Sequence, residues 1–197
     1  MGRRQGGVIA EVERGGLGEY LGLRPGDRVL SVNGKILRDE LDFRFYASER
    51  YLSLRVKTRD GEEKDFEIDK DEDDLLGLTF EEPIFDDMKT CRNNCVFCFI
   101  RQIPKDMRRS LHIRDDDYRM SFLYGNFISL TNLTEEDWER LEEQRLSPIR
   151  VSVHSTDGAL RQSLMRNPEA GKIMEHLRRL VDIGIWLHAQ IVLLRGV

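Results

Sequence analysis

The sequence predicts an α/β chain in two parts, a small β-rich domain followed by a series of strand–helix units. Three observations predict it. Residues 1–76 carry short apolar alternations punctuated by Gly-Gly, Pro-Gly and Asn-Gly turns. Residues 77–197 alternate strand-like runs with helical stripes, the pattern of a parallel sheet covered by helices. Between them, residues 60–74 hold ten acidic residues against two lysines, and the second half of that stretch reads as a solvated connector. The boundary is therefore expected near Leu76.

Val8, Ala10 and Val12 alternate as a first strand, and Gly15-Gly16 breaks it. A short helix over 17–21 ends at Gly22, a plausible glycine just past a helix end. Pro25-Gly26 makes a turn, 29–32 a strand and Asn33-Gly34 a tight turn. A second helix is expected over 39–49. A hairpin follows, with strands at 51–58 and 63–68 around Asp60-Gly61. In the second part, residues 83–89 read as a short strand and 127–130 as the next. Thr134 then caps a helix, with Asp137 three residues on. Trp138, Leu141 and Leu146 mark its buried face. A third strand covers 149–155. Asn167-Pro168 opens a helix with the stripe Ile173, Leu177, Leu180 and Val181, ended by Gly184, and a fourth strand covers 185–194.

Composition narrows the class. The 197 residues are 40% hydrophobic and 34% charged, with a net charge of −5, so no global basic charge favours nucleic acid or an anionic membrane. No apolar run reaches membrane-span length. The first residues hold two arginines but no following apolar stretch, so no secretory signal is expected. Clustered free cysteines fit a reducing cytoplasm.

All three cysteines lie in Cys91-Arg92-Asn93-Asn94-Cys95-Val96-Phe97-Cys98, spaced C-x3-C-x2-C. Three thiolates cannot all pair in disulfides within one molecule, but they can hold three corners of a four-iron cluster and leave one iron open. Two other readings stand beside this one. A structural zinc needs a fourth ligand, for which His112 or His154 is available. Cys95 and Cys98 also form a C-x-x-C pair able to act as a redox dithiol, which leaves Cys91 idle. The strands add a clue. Arg150, Ser152 and His154 share one face of the third strand, Trp186, His188 and Gln190 one face of the fourth, and Phe127, Ser129 and Thr131 one face of the second. A polar strand face in a parallel sheet suggests a lumen that holds a ligand.

The cysteine spacing, with Phe97 before the last cysteine, resembles the signature of radical S-adenosylmethionine (SAM) enzymes. Phe85-Asp86-Asp87, Cys91 to Gln102, Tyr118-Arg119-Met120-Ser121-Phe122, Tyr124-Gly125-Asn126-Phe127 and Val151-Ser152-Val153-His154 extend that likeness. Together they resemble a bacterial family that joins an N-terminal PDZ-like domain to a radical SAM core, classed as Fe–S oxidoreductase-like. Gly22-Leu23-Arg24-Pro25-Gly26-Asp27 through Asn33-Gly34 resembles the core of bacterial PDZ domains.

The resemblance implies domains at 1–76 (PDZ-like) and 77–197, the latter an incomplete (β/α)6 partial TIM-like barrel with about four of six units. It implies that Cys91, Cys95 and Cys98 ligate a [4Fe-4S] cluster whose open iron binds SAM, and that SAM is cleaved reductively to a 5′-deoxyadenosyl radical. Phe97 is then expected near the adenine. Thr131 and Asn132 stand where a Gly-Gly-Glu-like motif usually meets the SAM amino group, and Ser152 and His154 where a strand meets its carboxylate or ribose. An electron donor such as flavodoxin or ferredoxin and a substrate of unspecified class are implied partners; the alternative is a zinc- or Fe–S-binding adaptor or electron-transfer protein with a peptide-binding PDZ-like domain and no SAM chemistry. The charged segment 101–119, with its run Asp115-Asp116-Asp117, reads as a mixed charged surface rather than an RNA contact, because its acids interrupt any basic patch. A PDZ-like domain implies capture of a peptide C-terminus on a sheet edge, for which Gly77-Leu78-Thr79-Phe80 has the right composition in a permuted arrangement; the bland alternative is a module that only positions the core. The sequence stops after the fourth expected strand, so the chain alone is expected to bind a cluster poorly.

Overall fold

The computed structural model describes residues 6–71 and 74–195; the expectations for the N-terminal residues 1–5, for Glu72-Asp73 of the connector and for Gly196-Val197 lie outside them. Contacts divide the chain into two compact units, Met1–Asp87 and Met88–Val197.

The first unit is built on antiparallel strands β1 (Gly7–Val12), β2 (Arg28–Val32), β3 (Lys35–Ile36), β4 (Tyr51–Lys57), β5 (Glu63–Asp69) and β6 (Leu78–Phe80). Their order is β5-β4-β2-β1-β6, with β3 paired to β2. Strand β4 shows why the chain folds this way: Leu52, Leu54 and Val56 point inward, while the residues between them stay at least partly in water. They meet Ile9, Val29, Val32, Leu37, Phe43 and Phe85 in one apolar core. The β2–β3 turn needs left-handed backbone at both central positions, and Asn33 and Gly34 supply φ of 50° and 73°.

Two helices flank the sheet, α1 (Leu17–Tyr20) and α2 (Glu40–Tyr46). Asp39 caps α2 by accepting from the Asp42 N–H at 2.9 Å. The helix is shorter than expected, because the chain turns after Ala47 to enter β4.

Strand β6 pairs with β1, Ile9 opposite Phe80 and Val12 opposite Leu78. The expected boundary near Leu76 therefore falls inside the first compact unit, which closes at Asp87. Residues 83–89 form no strand. Pro83 carries no N–H, and the neighbouring backbone bonds the approach to α2: the Glu40 N–H donates to the Pro83 carbonyl, and the Phe85 and Asp86 N–H groups donate to the Arg38 carbonyl.

The second unit contains α3 (Phe99–Gln102), α4 (Tyr118–Tyr124), α5 (Glu135–Glu143), β7 (Ile149–Ser152), α6 (Gly158–Met165), α7 (Ile173–Asp182) and β8 (Leu187–Gln190), with 3-10 turns at Arg109–His112 and Pro168–Lys172. Strands β7 and β8 are parallel, Ile149 opposite Leu187 and Ser152 opposite Gln190. Ile128 joins β7 on the other side through a single parallel bridge to Val151. The expected strand at 127–130 shrinks to this bridge for two reasons. The Ser129 N–H donates to the Asp116 carboxylate at 2.6 Å instead of to a neighbouring strand, and Leu130 takes a φ of 61°. Likewise β7 ends before His154, whose φ is 61°.

Helix α5 starts as the sequence predicts. Thr134 and Asp137 form a reciprocal capping box, and Trp138 and Leu141 are buried. Asn167 and Pro168 do begin a helical segment, but a 3-10 turn precedes α7. Helices α4 and α6 were not anticipated, although Asp117 and Asp157 cap them. The mixed α/β arrangement, strand then helix then parallel strand, is thus present.

Candidate functional site

The cysteine loop opens the second unit and is irregular up to α3, whose first residue follows Cys98. Its backbone is anchored at three places. The Cys91 N–H donates to the Arg114 carbonyl at 2.7 Å, and the Arg114 guanidinium returns to the carbonyls of Cys91 (3.0 Å) and Asn93. The Asn94 and Val96 N–H groups donate to the carbonyls of Met165 and Leu164, both at 2.9 Å, near the C-terminal end of α6. Thr90, just before the first cysteine, is bridged to Asp115. A loop this rich in polar backbone keeps its shape only when those groups find partners.

The three thiols are free and half-buried. Burial pushes the Cys95 thiol up to about 11, and the charges of Cys91 and Cys98 add to the shift. Among the described residues no three or more His, Cys, Asp or Glu side chains are grouped to hold a metal ion.

Two expected SAM contacts meet directly. The Phe97 and His154 rings lie 4.4 Å apart, centroid to centroid, with their planes at 61°. Burial, then the Arg161 charge, lowers His154 to about 4, so its imidazole is neutral at pH 7. Its Nδ1 accepts from the Val192 N–H at 3.3 Å. Thr131 reaches the loop through Asn93 Oδ1 at 3.1 Å. Asn132 donates its amide to the Asp116 carbonyl at 3.1 Å and the Thr90 carbonyl at 3.5 Å, which orients Oδ1 the other way. That buried Oδ1 has no hydrogen-bond partner. Ser152 is tied in by its carbonyl, which accepts from Arg161.

Several residues of the site were not foreseen. Asp115, Asp116 and Asp117 read as surface charge, but Asp116 and Asp117 are buried. Asp116 takes the Ser129 N–H and hydroxyl, at 2.6 and 2.5 Å. Asp117 accepts from the Lys89 N–H and from the Arg119 guanidinium. Burial raises Asp116 despite the Ser129 bonds. Burial also acts on Asp117, but the hydrogen bonds and charge of Arg119 outweigh it and hold that carboxyl below its ordinary value. Arg161 on α6 is 1% exposed and donates to the carbonyls of Val153, Ala170, Ser129 and Ser152. The three-aspartate run was the one signal in the sequence that could have pointed here.

In the first unit, Gly77-Leu78-Thr79-Phe80 forms the edge strand β6 with the glycine before it. Beside it runs a groove lined by Phe43 and Ala47 of the α2 region and by Leu76 and Leu78, with Arg44 and Lys70 as its cations. An unpaired strand edge next to an apolar groove is the arrangement that accepts an extended peptide.

The family model of the radical SAM-like domain matches residues 70–197, more than half of the sequence. The chain belongs to the radical SAM-like family. A PDZ domain model matches residues 8–58, ahead of the radical SAM-like domain. Curated relatives of the chain include proteins described as "Serine protease HtrA-like" from Staphylococcus aureus strains USA300, NCTC 8325 and COL, each 36% identical over 69 residues. That match takes in 33% of this chain and 9% of each relative, so the chain matches less than a tenth of their length. No solved structure matches. Among the described residues no helix of this radical SAM-like protein is long and apolar enough to cross a membrane.

Proposed function

We propose that Cys91, Cys95 and Cys98 hold a [4Fe-4S] cluster that binds SAM at its open iron, making the chain a radical SAM enzyme or a piece of one. The observation that carries this reading is the C-x3-C-x2-C set of free, half-buried thiols in one anchored loop of a radical SAM-like domain. In a cluster each cysteine binds a different iron, so the sulfurs need not converge on a single ion as zinc ligands do. The orphaned Asn132 Oδ1 also fits. It is a buried acceptor with no partner, suited to a donor such as the ammonium of SAM.

When bound, the cluster and SAM supply an electron and a 5′-deoxyadenosyl radical; the protein supplies binding, orientation and exclusion of water. Phe97, backed by His154, offers an aromatic edge for adenine. The neutral imidazole presents no charge to the sulfonium. Thr131 and Asn132 face the amino-acid end of SAM, and Ser152 and His154 its carboxylate or ribose. These residues bring the second unit the polar face of a (β/α)6 partial barrel. Electrons come from a donor of the flavodoxin or ferredoxin type.

The test is product analysis. The chain, reconstituted anaerobically with iron and sulfide and given SAM and dithionite, is expected to release 5′-deoxyadenosine in low yield, in keeping with a poorly held cluster, and Cys95→Ala is expected to release none. Equal yields from both would end the reading. A second reading concerns the first unit only. The β6 edge and its groove support capture of a peptide C-terminus, which a titration of fluorescent C-terminal peptides against the chain would reveal.

A further inference from the structure

Asn93 stands between two cysteines of the motif, yet it is only 2% exposed. A buried carboxamide has two N–H donors and an acceptor oxygen to satisfy. Here Nδ2 donates to the Cys91 sulfur at 3.4 Å and to Ser129 Oγ at 2.8 Å. Oδ1 accepts from Thr131 Oγ1 at 3.1 Å and from Asn167 Nδ2 at 2.7 Å. The hydrogen-bonding capacity of the amide is therefore filled.

The direction of these bonds is fixed from outside. Ser129 donates its one hydroxyl proton to Asp116 Oδ2, so toward Asn93 it accepts. The Asn167 Oδ1 accepts from the Glu169 N–H at 3.0 Å, which turns the Asn167 Nδ2 toward Asn93. A flipped Asn93 amide would set donor against donor and acceptor against acceptor. Its N–H is thus aimed at the Cys91 sulfur by partners 36 and 74 residues away in sequence. The next residue, Asn94, bonds α6 through its backbone.

We propose that Asn93 is a positioning residue of the cluster site, orienting the Cys91 sulfur and drawing charge from it so that the bound cluster accepts an electron more readily. This rests on the cluster reading above. Outer partners orient first ligands, and hydrogen bonds to the sulfurs are among the factors that set a cluster's reduction potential. An N–H donor favours the more negative, reduced state. Its loss makes reduction harder.

The experiment is a redox titration, followed by electron paramagnetic resonance, of the reconstituted chain and three variants, with iron counted in each. Asn93→Leu removes the amide. Asn167→Ser keeps an oxygen to cap the following turn but loses the donor that orients Asn93, and it decides the matter if Asn93→Leu fails to fold. Asn94→Ala is the loop control. At a fixed potential the oxidised-to-reduced ratio in Asn93→Leu should rise about tenfold, which is ~59 mV for one electron. Asn167→Ser should shift the same way by less, and Asn94→Ala not at all. Unchanged potentials in iron-loaded Asn93→Leu and Asn167→Ser would overturn the proposal for Asn93. A wild-type chain with zinc in place of a four-iron cluster would instead overturn the reading it rests on.

Discussion

In the first unit the buried carboxylates of Asp27, Asp39 and Asp42 cap turns and a helix start, beneath a core of Ile9, Val29, Val32, Leu54 and Val56. In the second, Asp116, Asp117, Arg119 and Arg161 lie in the interior and tie together segments distant in the chain. An apolar core fixes a sheet by area and shape. A buried polar network fixes directions, because each hydrogen bond has a donor, an acceptor and an angle. A loop that must present three sulfurs in one arrangement needs directions.

Arg161 is where the two interiors differ most. Replacing it with Met leaves the carbonyls of Ala170, Ser129 and Ser152 to find other donors, each at about 1–3 kcal/mol, while Val153 keeps the Ser155 N–H. That sum reaches the whole stability of a small unit. We expect the second unit to lose cooperative unfolding in a urea melt followed by circular dichroism, while the first unit's transition stays. In the first unit, Leu54→Ala should cost about 2–5 kcal/mol for a fully buried side chain but leave the iron content of a reconstituted chain unchanged. If Leu54→Ala emptied the cluster site, the distinction between the two interiors would collapse.

Acid sharpens the contrast. The Asp117 carboxyl is held below its ordinary value, so its contribution to stability is present above about pH 4 and is lost as pH falls through the lowered value. Asp116 is raised, so its contribution has the opposite sign, being full below about pH 4 and lost as pH rises through the raised value. Stability melts from pH 3 to 6 should therefore show a flatter acid limb in Asp117→Asn and a steeper one in Asp116→Asn. The same limb in both variants would refute these assignments. The smallest effect is Thr134→Ala, which opens the capping box of α5 and should cost about 1 kcal/mol in the second unit. No loss there would mean that Asp137, which also binds Lys89 Nζ at 2.5 Å, carries the helix start by itself.

The first unit was legible because its signals are local. Alternation in 51–58, the Asn33-Gly34 turn and Pro25-Gly26 each specify their own few residues. The cysteine motif and the Thr134–Asp137 box were legible for the same reason. The network around the cysteines was not. Asn167 read as a helix cap, which it is, but nothing local says that its amide also reaches Asn93, 74 residues earlier. Asp116 and Asp117 read as surface because a run of three acids usually is, and only the fold buries two of them. Helix α6 was missed although Asp157 offers a cap, and with it went Arg161.

The central claim is that the three cysteines hold an open four-iron cluster. The most direct measurement is electron paramagnetic resonance of the anaerobically reconstituted, reduced chain with and without SAM. A four-iron signal that shifts when SAM is added and is absent from Cys91→Ala is expected. A signal indifferent to SAM, or a tightly bound zinc with no cluster signal, would contradict it.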